Sequence, residues 1–261
     1  MIIRKMIKLK SEEEIALMKE NALMVSKTLA EVGRNIEPGI TTKELDAIAE
    51  KYIRSLGAEP GFLGYEGFPY TLCMSVNDTV VHGFPSNYKL KEGDIVSVDC
   101  GTRYRGFYGD SAYTFPVGKI SEEDRQLLEA TKTSLYRGIG QAVPGARTGD
   151  IGYAVQSYVE SLGFSVVREL VGHGIGRNMH ESPEVPNYGR RGHGVKLQEG
   201  MVICIEPMVN AGKRDVYLAD NGWGVLTEDG KKSAHFELTI AIRKNAPEVL
   251  STFEFIEKNS N

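Results

Sequence analysis

PGITTKELDAIAEKYIRSLG, residues 38–57, is echoed by PGARTGDIGYAVQSYVESLG, residues 144–163. The offset is 144 − 38 = 106, and Thr42/Thr148, Tyr52/Tyr158, Ser55/Ser161 and Gly57/Gly163 all keep it. Downstream, KLKEGDIVSVD ends at Asp99 and KLQEGMVICIE ends at Glu206, an offset of 206 − 99 = 107. Upstream, SEEE at Ser11 is matched by SEED at Ser121. Three matches in one order, separated by short insertions, identify an internal duplication. Ser11 with Glu14, and Thr41 with Glu44, have the spacing of capping boxes, and helical periodicity follows each. The second helix of each half should stop at Leu56-Gly57 and Leu162-Gly163, where glycine takes the left-handed conformation that ends a helix. After the helices come β-rich runs: Asp94 to Cys100, Phe107 to Val117, Met201 to Met208 and Ala234 to Arg243. Each half therefore reads as helix, helix, then antiparallel strands, an α+β unit. Two such units sharing a curved sheet enclose a cleft on their pseudo-twofold axis. No linker rich in Pro, Gly or Ser parts them, so residues 1–261 read as one domain with halves at about 11–117 and 121–250.

Composition sets the bounds. A chain of 261 residues buries about 70% or more of its unfolded surface and needs neither disulfide nor metal to hold its core. With 41% apolar and 25% charged residues it is globular in composition. A net charge of −4 argues against general capture of nucleic acid or anionic membrane. No apolar run has the length of a spanning helix. The start, MIIRKMIKLK, has no continuous apolar segment and no small-residue cleavage site, so it does not read as a secretion signal. Cys73, Cys100 and Cys204 form no disulfide framework. A soluble cytoplasmic protein is expected, monomeric by default.

Within DIVSVDCGTRYRGFYGDSAYT, residues 94–114, two β-rich runs flank a hairpin turn at residues 101–106. If the turn centres near Tyr104 and Arg105, Asp99 pairs with Asp110. Two carboxylates opposite one another on one face destabilise a sheet. A basic side chain, a shared proton or a metal ion could compensate them. The nearby arginines lie in the turn, too far along the hairpin, so metal is the favoured reading. Glu206 holds the repeat position of Asp99 and should enter the cleft from the other half. In AHFELTIAI the alternation buries Phe236, Leu238, Ile240 and Ile242, leaving Glu237 on the opposite face with His235 and Thr239. A buried carboxylate there is costly unless paired.

His173 and His180 lie in GHGIGRNMHE, too rich in glycine for a helix and wrongly spaced for a His-Glu-x-x-His zinc helix. Such a loop suits one imidazole as a ligand and the other turned to a substrate. His193 reads as loop surface and His235 as a residue behind the ligands. An imidazole with four carboxylates suits two divalent ions about 3.5–4 Å apart, which polarise a carbonyl and activate a water. Oxygen-rich donors favour Mn, Fe or Co over a structural zinc. Cys100 points away from Asp99. Cys204 shares the face of Glu206 but lies about 7 Å further along the strand, and reads as packing.

Together these residues resemble the type I methionine aminopeptidases, of the pita-bread metallopeptidases. The resemblance runs from about Ser11 to Leu250. Its motifs are SVNDTVVHGFP from Ser75, DCGTRYRGFYGD from Asp99, GHGIGRNMHESP from Gly172, IEPM from Ile205 and AHFELT from Ala234. It implies a pita-bread fold with Asp99, Asp110, His173, Glu206 and Glu237 as ligands of two divalent ions (Co, Mn, Fe or Zn). His82 would contact the substrate near its amino end. His180 would polarise the scissile carbonyl, and Glu206 would also shuttle the proton. Phe62, Tyr65, Phe68, Cys73 and Trp223 would form the slot for a methionine side chain, with sulfur against aromatic edges. Met179 replaces the aromatic residue often found before His180, which implies a more pliable pocket rim. Asn77, Thr79 and Ser233 would hold a monovalent cation. The expected partner is the N-terminal peptide of a nascent protein with a small second residue, and transient ribosome association is a further implication. A proline-directed aminopeptidase of the same fold and a metal-free binding module are the competing readings. Against the last, the full ligand set is present.

Overall fold

Helices begin and end where the repeat places them. The structure, a computed structural model, describes residues 7–258; most of the basic start and the last three residues lie outside the described residues. Helix α1 (Glu12–Arg34) and α2 (Thr42–Ser55) each open on a capping box, in which Ser11 and Thr41 hydroxyls accept from Glu14 and Glu44 amides at 3.2 Å. Each such cap is worth about 1 kcal/mol. Gly57 and Gly163 follow α2 and α4 (Thr148–Ser161) with φ of +78° and +86°. The buried stripe of α1, Ile15, Met18, Ala22, Val25, Leu29 and Val32, alternates steps of three and four residues, so one helix face is apolar. It lies across β4 (Ile95–Tyr104) and β5 (Phe107–Pro116).

Before these strands come β1 (Glu59–Pro60), β2 (Leu72–Val76) and β3 (Thr79–Val81). The second half opens with α3 (Glu122–Ile139) and α4, which pack together, then β6 (Ser165–Val166), β7 (Gly172–Gly174), β8 (Glu181–Val185) and β9 (Val202–Ile205). It continues with β10 (Met208–Asn210), β11 (Val216–Leu218), β12 (Val225–Thr227), β13 (Ser233–His235), β14 (Glu237–Ala241), β15 (Glu248–Val249) and α5 (Glu254–Glu257). The main sheet runs β1-β4-β5-β14-β9-β7-β8, with β2 added to β4 and β15 to β14. Its centre, β4-β5-β14-β9, is symmetric: two strands from each half meet at the β5–β14 pair. This is the expected α+β arrangement of halves around an antiparallel sheet.

Two local readings need correction. The hairpin turns on Arg105 and Gly106, both with positive φ (+49° and +78°), as a two-residue type I′ connection requires. Its centre is thus one residue beyond the predicted one, and Asp99 faces Ala112 while Asp110 faces Gly101. Asp99 and Asp110 remain on one face, as diagonal neighbours. The second correction concerns the strands of the other half. Met201 to Met208 breaks after β9, where Pro207 has no N–H to give a ladder, and Ala234 to Arg243 breaks at Phe236. The register is unbroken, with Ile205 opposite Leu238 and Met208 opposite His235. Glu206 and Glu237 therefore stand opposite each other in the gap. The like-charge pair expected at Asp99 and Asp110 occurs here instead.

A candidate metal centre

Five residues on or beside five strands carry the donor side chains of the cleft. Asp99 comes from β4, Asp110 from β5, Glu237 from the start of β14, Glu206 from the end of β9, and His173 from the middle of β7. His180 precedes β8 and His82 follows β3. All seven line a cavity of about 400 Å³ together with Phe62, Tyr65, Phe68, Cys73 and Trp223. Donor atoms of Asp110, His173, Cys204 and Glu237 lie within 4.8 Å of one another, and so do those of Asp99, His235 and Glu237. His173 Nε2 is 3.5 Å from Glu206 Oε1 and 3.8 Å from Asp110 Oδ2. Among the described residues, no lysine or arginine lines the cavity.

Neutral hydrogen bonds pin the main chain behind three of the four carboxylates. The Ser111 hydroxyl donates to the Glu237 carbonyl (2.6 Å), Thr239 to that of Asp110 (2.8 Å), and the Asn187 amide to that of Glu206 (3.0 Å). The carboxylates are held in place by bonds that spend none of their own oxygens. Asp99 Oδ1, Asp110 Oδ1 and Glu237 Oε1 are buried without a hydrogen-bond partner. Burial first, and mutual repulsion next, push Asp110, Glu206 and Glu237 well above the usual carboxylate range. Burial also raises Asp99, which shares a hydrogen bond with Asp110. Orphaned anionic oxygens facing one another are costly in a low-dielectric site. Of the three compensations the sequence left open, a basic side chain is absent, and a shared proton serves one pair at most. Divalent cations fit this donor set.

The imidazoles are neutral. Burial lowers His173 to about 3 and His82 to about 4, with His180 adding to both. His173 Nδ1 lies 2.9 Å from the Gly174 carbonyl, which only accepts, so Nδ1 carries the proton and Nε2 presents its lone pair to the carboxylates. His180 Nδ1 meets the Tyr65 hydroxyl at 3.0 Å. His82 is held at φ +56°, sparsely used by residues other than glycine, while the neighbouring Gly83 carbonyl accepts from the Met74 amide. Strain of this kind clusters at functional sites.

Phe68 is edge-on to both Trp223 (5.1 Å between centroids) and Phe62 (6.5 Å), giving an apolar wall beside the carboxylates. Met179 is fully buried and does not line the cavity, so it is packing beneath the slot and not its rim. The Asn77 side chain is spent on Asp94 and Ile95, and the Ser233 hydroxyl donates to the Val209 carbonyl. Thr79 lies in β3, two residues from Asn77. His193 is exposed, as read. Cys204 is closer to the cluster than distance along its strand suggested, because it pairs with Thr239 on β14, two residues from Glu237. Burial, then Glu237, raises its thiol, and Sγ rests 3.5 Å from the Thr239 hydroxyl, so it stays protonated. His235 also sits nearer than read. The signal was available: it shares the face of Glu237, two residues away.

Residues 16–244 match the model of metallopeptidase family M24. The chain is 54% identical over 246 residues to a methionine aminopeptidase of Clostridium perfringens, covering 94% of this chain and 99% of the relative. It is 50% identical to methionine aminopeptidase 1 of Bacillus subtilis over the same shares. The crystal structure of a methionine aminopeptidase from Thermotoga maritima superposes with a TM-score of 0.93 at 44% identity, covering 95% of this chain and all of that one.

Proposed function

The chain belongs to metallopeptidase family M24, and from that premise we propose how its cleft removes an N-terminal methionine from a polypeptide. It is a metal-dependent aminopeptidase with the pita-bread fold. The observation that carries the reading is the cavity itself, in which buried carboxylates, three of them with an oxygen that has no partner, adjoin an aromatic slot with no cationic side chain between them among the described residues. Asp99, Asp110, His173, Glu206 and Glu237 hold two divalent ions, drawn from Co, Mn, Fe and Zn. When bound, these polarise the scissile carbonyl and acidify a water. Phe62, Tyr65, Phe68, Cys73 and Trp223 take up the methionine side chain, and His82 contacts the peptide near its amino end. Glu206 takes the water's proton and passes it to the leaving amine.

The Tyr65 hydroxyl keeps its proton, since burial and then Glu66 raise it. When it donates to Nδ1 of neutral His180, Nε2 of that ring must carry the proton. That N–H is the donor for the oxyanion. His180→Ala should therefore lower kcat by about 10²–10³ while changing KM little, as a contact made in the transition state requires. Steady-state kinetics with a pure KM effect would make His180 a binding residue instead. Nascent chains with a small second residue are the substrates, met in the cytoplasm by one 1–261 unit working as a monomer with transient ribosome contact. A monovalent cation near Asn77, Thr79 and Ser233 belongs to the same proposal. Among the described residues no helix is long and apolar enough to cross a membrane.

The test is release of the first residue from Met-Ala-Ser against Ala-Pro-Ala, with and without chelator. Methionine release that is lost with chelator and restored by a divalent ion is the expected result. Preferential cleavage of the proline peptide overturns the specificity, and turnover in chelator overturns the metal centre.

A further inference from the structure

We propose that His235 is a sixth protein ligand of this centre, giving a second imidazole to the cation held between Asp99 and Glu237. The inference rests on the dimetal reading above and adds a donor to it. A ring nitrogen of His235, an oxygen of Asp99 and an oxygen of Glu237 lie within 4.8 Å of one another, the span expected of donors around one ion. The ring is 2% exposed, lies against the Pro207 carbonyl and lines the cavity. Its Nδ1 is buried without a hydrogen-bond partner. Buried polar atoms are paired in most proteins, and an exception inside a donor cluster points to a missing ligand.

The backbone shows the same care for position as at the carboxylates. Thr114 on β5 donates its hydroxyl to the His235 carbonyl (2.7 Å) and accepts from the His235 amide (2.9 Å). This pair of hydrogen bonds to a neighbouring strand fixes where the imidazole leaves the chain, just before the break at Phe236. The other reading, a residue standing behind the ligands, would have Nδ1 hydrogen-bonded to one of them, and Nδ1 has no such partner.

The consequence is chemical. With His173 alone, the Asp110 and Glu206 side of the cleft holds the sole nitrogen donor and the Asp99 side offers oxygen only. With His235, each side has one imidazole. Imidazole suits Zn, Fe and Ni, whereas an all-oxygen set suits Mg and Mn. The Asp99 side is therefore tuned toward the later, nitrogen-preferring metals.

Metal-free protein titrated calorimetrically with Co(II) and, separately, Mn(II) tests this without recourse to turnover. H235Q should weaken one of the two Co(II) binding events by more than the about 10–100-fold that losing a hydrogen-bonding partner of a ligand costs, and a smaller loss overturns the proposal. It should weaken Mn(II) binding less, narrowing the preference between the two. H173A is the control for the underlying site: if it and H235Q both leave binding unchanged, the dimetal reading fails. If H173A weakens binding and H235Q does not, only the role of His235 is overturned. Should H235Q not fold, X-ray absorption on Co(II)-loaded wild-type protein decides the matter. An average of one imidazole per ion supports the proposal, and one imidazole for every two ions overturns it.

Discussion

Glu206→Gln should lower kcat by about 10²–10⁴-fold with metal still bound, the range for removing a general acid–base group. Among the four carboxylates clustered around His173, position singles this one out. Its side chain is 14% exposed, against 6% for Asp110, and Glu237 is 2% exposed as a residue. Glu206 lies just past the end of β9, at the lip of the gap, while Asp99 and Asp110 are within long strands. A proton shuttle must reach water on one side and the leaving amine on the other; Asp99 is also partly exposed but sits inside β4, whereas Glu206, past the end of its strand, can do both. Burial and the repulsion of Asp110 raise its pKa, which makes it a stronger base toward the water's proton than an ordinary carboxylate, while the more basic leaving amine still takes that proton from it. Glutamine keeps the size and one ligating oxygen but cannot accept the proton. Metal content must be measured beside turnover, because the side chain also faces His173 Nε2. Wild-type kcat in a fully loaded variant would falsify the shuttle.

Much of this site was legible before the fold was seen. The repeat predicted that Asp99 and Glu206 are equivalent, and they do sit symmetrically on β4 and at the end of β9. Alternation in AHFELTIAI put Glu237 on the cleft face, where it is found. Capping boxes and Leu-Gly stops located both paired helices. What escaped depends on geometry that residue patterns do not carry. A one-residue change in turn type moved the Asp99 partner from Asp110 to Ala112. The interruptions at Pro207 and Phe236 create the gap that brings Glu206 against Glu237, and strands as short as β10 and β13 leave little periodicity to read. Distance along its own strand separates Cys204 from Glu206, but not from Glu237 on the neighbouring strand, which only the sheet pairing displays. For His235 the shared face with Glu237 was legible, and its nearness to Asp99 was not.

Metal removal should do more than stop turnover; it should reverse how stability responds to pH. In metal-free protein the folded-state pKa values of Asp99, Asp110, Glu206 and Glu237 are raised, chiefly by burial. A carboxyl with a raised folded pKa binds more protons folded than unfolded, so stability is greatest at low pH and falls as pH climbs toward the folded value. The loss is about 1.4 kcal/mol per pH unit for each full proton of difference. Buried His82, His173 and His235 act oppositely, since their folded pKa values are depressed to about 4, about 3 and about 3. Their contribution changes mostly below the unfolded imidazole value of about 6.5, where those rings charge only in the unfolded chain. From about pH 6.5 to 8 the carboxyls therefore dominate, and the chelated protein should lose thermal stability as pH rises. A bound cation takes the place of those protons, adding about 2.7 kcal/mol at a hundredfold excess over its Kd. Since protons compete for the same oxygens, that gain should grow with pH. Thermal unfolding at pH 6.5, 7.25 and 8 should show Tm falling in chelator and level or rising with divalent ion, alongside complete and metal-reversible loss of activity. Parallel pH slopes in the two conditions would mean that these four carboxylates do not hold the ions.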